Sequence, residues 1–187
     1  EKMLLPEDVE SDDTVWKQTR ARIPWLLIGM VGGIGTSIIL GKFDQIFVAH
    51  PEMAIFIPLI GGTAGNVGQQ SAAIVVQGLA NNSLKVGNMF RQVLKEAGVS
   101  ILIASVISVL VFLYNYFLGS QPMLVTASVS ISLVAVILVA SLLGTFLPML
   151  FEKLKIDPAI ATGPFISVSN DIIGMLTYMG VTLVLMG

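Results

Sequence analysis

Five apolar stretches, each long enough to cross a bilayer, leave this chain little choice of fold. They run over about 23–40, 53–79, 97–118, 123–151 and 160–186. At ~1.5 Å per helical residue even the shortest just spans a hydrocarbon core of ~30 Å. Backbone polar groups in lipid must be satisfied within the segment, so the stretches predict an all-α membrane protein with five transmembrane helices. Charged residues are only 12% of the 187, where a soluble domain carries about 25%.

What is missing narrows the chemistry. There is no cysteine, which excludes disulfides, thiolate metal sites and cysteine nucleophiles. A formal charge of −2 offers no basic field for nucleic acid. His50 is the single histidine and falls in a loop, so neither HExxH nor a histidine-based triad can be assembled. No GxSxG, P-loop or pair of intramembrane aspartates is present, and Asp12–Asp13 reads as a solvated pair. The expectation is a non-enzyme.

Basic residues orient the chain. Lys2, Lys17, Arg20 and Arg22 precede the first span, Lys85, Arg91 and Lys95 lie between the second and third, and Lys153 and Lys155 between the fourth and fifth. Nine of the ten Lys and Arg therefore share one side, with only Lys42 opposite. The positive-inside rule then puts the N-terminus in the cytoplasm and the C-terminus outside. The lead-in, 1–22, turns from acidic to basic and reads as a solvated approach or a short surface helix. Starting at Glu1 with no signal peptide, the chain reads as a mature or excised piece of something longer.

Inside the membrane one residue stands out. Asp171 is the only acid within any long apolar stretch, and a charge near the bilayer centre costs ~2.5–3.5 kcal/mol, so it needs a partner or a water-filled path. Gly163, Ser167 and Asp171 are four apart, with Asn170 and Gly174 beside them, which suggests one polar helical face. The second stretch contains PLIGGTAGNVGQQSA, where four glycines with Asn66, Gln69 and Gln70 suit a cavity-lining helix, bent at Pro58, better than a lipid-facing one. Gly29 and Gly33 form a GxxxG suited to close helix contact. The segment 81–96 reads as a polar loop, and Glu96 as a structural acid favouring the start of the third helix. Asp171 with these neutral oxygens and amides suits a cation. Paired across a two-fold axis it would suit a largely hydrated divalent ion, and equally a proton or sodium site. A packing role for Asp171 in a non-transporting membrane subunit is the bland alternative.

PLIGGTAGNVGQQSA, KEAGV, RIPWLL and DPAIATGPFISVSNDIIGMLTY together resemble the transmembrane domain of MgtE-type magnesium channels and transporters, from about Arg22 onward. The resemblance implies a multi-pass protein of the bacterial plasma membrane, and a homodimer with its pore on the dimer axis. The second and fifth helices would line that pore, and hydrated Mg²⁺ would sit between paired aspartates matching Asp171. Gly62, Gly65, Gln69, Gly163 and Ser167 match pore-lining positions, with Asn66 and Asn170 joining them from the residue reading. Gly163, Ser167 and Gln69 depart from the better-known bacterial pattern, which has Asn, Ala and Asn there. The resemblance also implies cytoplasmic CBS-type domains upstream, which this chain does not contain. The lead-in would correspond to the connecting, pore-plugging helix. Asp157, with Glu7, Asp8, Asp12 and Asp13, would be the candidates for regulatory Mg²⁺. The expected function is passive or channel-like magnesium transport. A proton- or sodium-coupled divalent carrier using Asp171 is the alternative.

Overall fold

A computed structural model describes residues 9–186, apart from the side chains at 86, 161 and 162. Thr14 opens the first helix, α1 (Val15–Lys42), by accepting a hydrogen bond from the Lys17 amide. A short α2 (Asp44–Ala49) and a 3-10 turn (Pro51–Phe56) lead into α3 (Ile57–Ala80). Then follow α4 (Met89–Phe117), α5 (Met123–Lys153), a 3-10 turn (Pro158–Thr162) and α6 (Pro164–Met186). No strand occurs among the described residues.

α1, α4, α5 and α6 are each long and apolar enough to cross a membrane. α3 has the length, 24 residues or about 36 Å, but its glycines and amides dilute its hydropathy.

Several boundaries differ from the sequence expectation. α1 starts eight residues before the apolar stretch, so the lead-in residues from Val15 onward continue the span and make no separate surface helix. The expected loop 41–52 contains α2. Pro58 sits in the first turn of α3 and starts the helix where a bend was expected, because a missing amide proton costs nothing there. The expected polar loop 81–96 is helical from Met89 onward, which leaves Glu96 seven residues inside α4.

α5 is the hub. It packs on α3, α4 and α6 and on the three 3-10 turns among the described residues, including a short one at Val86–Asn88. It carries more buried residues than any other described helix. One core cluster joins Phe56, Ile60 and Ala64 to Val129, Leu133 and Val136 of α5 and to Met175, Tyr178 and Met179 of α6. The Tyr178 hydroxyl, fully buried, donates to the Met53 carbonyl at 2.8 Å. α4 packs chiefly on α5 and α1 chiefly on α6. Their outer faces expose Leu102, Val106 and Leu110, and Leu26, Met30 and Ile34. Lipid suits such surfaces.

With no hydrophobic drive between helices in lipid, small residues decide where they meet. Gly68 of α3 fits between Ala140 and Gly144 of α5, and a methyl at 144 would strike the Gly68 carbonyl. α1 meets α6 at Gly32, against Val168, and at Gly35, against Ile172. Gly29 and Gly33, the expected GxxxG contact, have nothing within 4 Å of their Cβ positions. The contact face is therefore rotated by one residue from the motif.

Candidate functional site on helices α3 and α6

α3 and α6 run antiparallel, as Gly61 beside Met175, Ala64 beside Gly174 and Gly68 beside Asn170 establish. The same register carries Gln69 to Ser167, where Gln69 Nε2 donates to Ser167 Oγ at 2.7 Å. Asp171, one turn further along α6, comes level with Gly65 and Asn66. At about 100° per residue, Gly62, Asn66 and Gln69 keep within a narrow arc of α3. All three are exposed, and Gly65 at the arc's margin is half-buried. Gly62, Gly65 and Gly163 have nothing within 4 Å of their Cβ positions. The result is an open strip of bare backbone and amides beside half-buried Ser167 and Asp171.

Asp171 stands about 10 Å into α6 from its start at Pro164. Its carboxylate has no hydrogen-bond or ion-pair partner among the described residues. That combination is costly unless water or a cation reaches it.

Asn170 does not belong to the open strip. It is 1% exposed, with its amide wedged against Gly68 and neither amide atom hydrogen-bonded. The helical turn explains this correction: about 100° separates Asn170 from Asp171, and the hollow left by the missing side chain at Gly68 receives the amide. Gly174 is buried on the same inner side, against Ala64. The single polar face expected on α6 is therefore two faces, one packed and one open.

The acids expected on the cytoplasmic side are scattered. Glu7 and Asp8 lie outside the described residues. Asp12 is exposed. Asp13 is held by Lys17 Nζ at 2.7 Å and by the Glu10 amide at 2.9 Å. Those bonds, the lysine's foremost, keep its carboxyl below the usual range. Asp157 caps the 3-10 turn by accepting from the Ala159 amide at 2.9 Å. It also borders a cleft of about 280 Å³ with Glu152 and the end of α3. No group of three or more His, Cys, Asp or Glu is placed to hold a metal ion among the described residues.

Sequence reasoning missed the role of Glu96. It is 7% exposed and accepts from Ser71 Oγ of α3 at 2.7 Å and from Ser141 Oγ of α5. The available signal was its position immediately before an apolar run, where hydropathy suggested an end.

Residues 57–181 match the MgtE family model, described as divalent cation transporter. The chain is 36% identical over 166 residues to the magnesium transporter MgtE of Thermus thermophilus, covering 89% of this chain and 36% of that one. It is 32% identical over 177 residues to the magnesium transporter MgtE of Bacillus subtilis, covering 94% and 39%. The corresponding match in Enterococcus faecalis is 33% identical over 185 residues, covering 95% and 39%. The chain thus spans under two fifths of the length of these curated relatives.

Proposed function

Because the chain belongs to the MgtE family of divalent cation transporters, multi-pass membrane proteins, we propose that it passes Mg²⁺ across the membrane down its gradient. In this reading α3 also crosses the bilayer, as the second of five spans, the N-terminus is cytoplasmic, and α3 and α6 line a pore. The observation that carries the proposal is Asp171, an unpartnered carboxylate at membrane depth beside an open strip of glycines and amides.

The chemistry fits a hydrated ion. Mg²⁺ sheds water reluctantly and is commonly held through its waters by one or two carboxylates. Gly62 and Gly65 lack side chains that would screen the strip, so a hydrated ion can come close to the backbone. Asn66, Gln69 and Ser167 offer hydrogen bonds to its waters. One carboxylate leaves a divalent ion half-neutralised. A second copy of the chain, related by a two-fold axis, would supply the other Asp171 and close the strip into a pore.

The test is Mg²⁺ uptake into liposomes by the wild-type protein and by Asp171→Ala and Asp171→Asn. Uptake down the Mg²⁺ gradient should fall at least tenfold in both variants and ignore imposed proton and sodium gradients. Uptake that persists in the variants would return Asp171 to a packing role. A requirement for an opposing proton or sodium gradient would replace the channel with a coupled carrier.

A further inference from the structure

A buried acid on a helix that lines nothing is an unusual thing to keep in a membrane domain. Glu96 sits about 10 Å inside α4. No Lys, Arg or His pairs with it among the described residues. Its carboxylate oxygen Oε1 collects two hydroxyls, Ser71 from α3 and Ser141 from α5, whose own oxygens lie 3.0 Å apart. Ser100, one turn along α4, donates to the Glu96 carbonyl at 2.6 Å. A carboxylate away from water is costly, and removing one of its donors leaves that cost uncompensated. The three side chains therefore hold one another in place.

The geometry concerns α3 in particular. α4 packs extensively on α5 and more sparingly on α3, which it meets in a small apolar cluster around Val67, Ala104 and Ile137 and through the Ser71 bond. Ser71 lies about 200° round α3 from Gln69, on the side opposite the open strip. At this same turn Gln69 is bonded outward to Ser167. α3 is thus gripped from both sides at one level, by Glu96 behind and Ser167 in front. Elsewhere it rests on glycine and alanine contacts and on apolar packing through Ile60 and Val67, which lack the directionality of a hydrogen bond.

We propose that Glu96 is a positioning residue which, through Ser71, sets the rotation of α3 and so aims Asn66 and Gln69 at the path of the ion. This rests on the pore reading above. It requires a hydrogen-bond acceptor at position 96, and glutamine supplies one through its carbonyl oxygen. Leucine does not. It further requires the bond to Ser71 more than the bond to Ser141, since α4 and α5 are joined by extensive packing in any case.

The chain's lack of cysteine makes a direct test available. Single cysteines at Ala73 (exposed, on the strip side) and Ala72 (fully buried) report the rotation of α3. A water-soluble thiol reagent on the liposome-reconstituted protein should label Ala73→Cys at least tenfold faster than Ala72→Cys. That contrast should stay within twofold in Glu96→Gln and fall at least fivefold in Glu96→Leu and in Ser71→Ala. Ser141→Ala should reduce it less than Ser71→Ala does. The Mg²⁺-to-Ca²⁺ flux ratio should follow the same order, which simple loss of folded protein would not produce.

An unchanged contrast in Ser71→Ala, or a Glu96→Gln variant that behaves like Glu96→Leu, would overturn the proposal. Should Glu96→Leu fail to fold, the milder Ser71→Ala decides. Labelling reads the rotation of α3 whether or not magnesium flows. An inactive wild type would therefore sink the pore reading while the labelling still judged Glu96.

Discussion

Gly65 and Gly68 are three residues apart on α3 and do opposite jobs. A methyl at 68 would strike the Asn170 amide and crowd the Ala140 carbonyl, whereas one at 65 meets nothing within 4 Å. Gly68→Ala should therefore destabilise the protein by about 1–3 kcal/mol, the usual cost of overpacking, and lower its melting temperature in detergent. Gly65→Ala should leave melting unchanged or slightly raised, since alanine is the better helix former by about 1 kcal/mol. Its effect should appear in Mg²⁺ uptake, reduced several-fold by the narrower strip. Equal effects of the two variants on melting would refute this division. The sequence displayed every glycine but could not rank them, because a packed glycine and an open one differ only in what lies opposite. Asp171 was legible because a lone acid in an apolar stretch is rare and costly. The burial of Asn170 was not, since it depends on a hollow in another helix.

Among the elements, α5 ends in a left-handed turn. Lys155 has φ 59°, its amide bonds to the Glu152 carbonyl, and the Ile156 amide bonds to that of Phe151. Glycine usually occupies this position, and a side chain there costs about 1–2 kcal/mol. Lys155→Gly should raise the melting temperature by a few degrees; a lower one would show that the lysine side chain outweighs its backbone strain. Hydropathy located α1, α4, α5 and α6 because each is long and apolar enough to cross a membrane. It misplaced the starts of α1 and α4 because helices continue past the apolar stretch once caps and neighbouring packing support them. Glu96 follows the same physics: a charge that hydropathy places at a boundary is received inside the bundle by two serines on other helices.

For the molecule as a whole, the proposed pore needs two chains. Light scattering of the detergent-solubilised protein, with detergent subtracted, should give twice the 19.9 kDa of one chain. A mass of one chain would leave Asp171 without its counterpart and the strip facing lipid. The family was legible from two long motifs, and the match over 57–181 takes in both. Assembly was not legible, because an interface between copies leaves no periodicity that lipid exposure does not also leave.

The resting of α1 on α6 also has a consequence for synthesis. Of the five long helices, α1 leaves the ribosome ahead of the other four, and α6, against which it packs, follows them. At ~5–20 residues per second that interval is about 7–30 s. During it Gly32 and Gly35 have no Val168 or Ile172 to meet. The nascent α1 must wait in the bilayer on its own hydrophobicity, with Lys17, Arg20 and Arg22 at its basic end. Its plain apolar surface, so uninformative about transport, is what that wait requires.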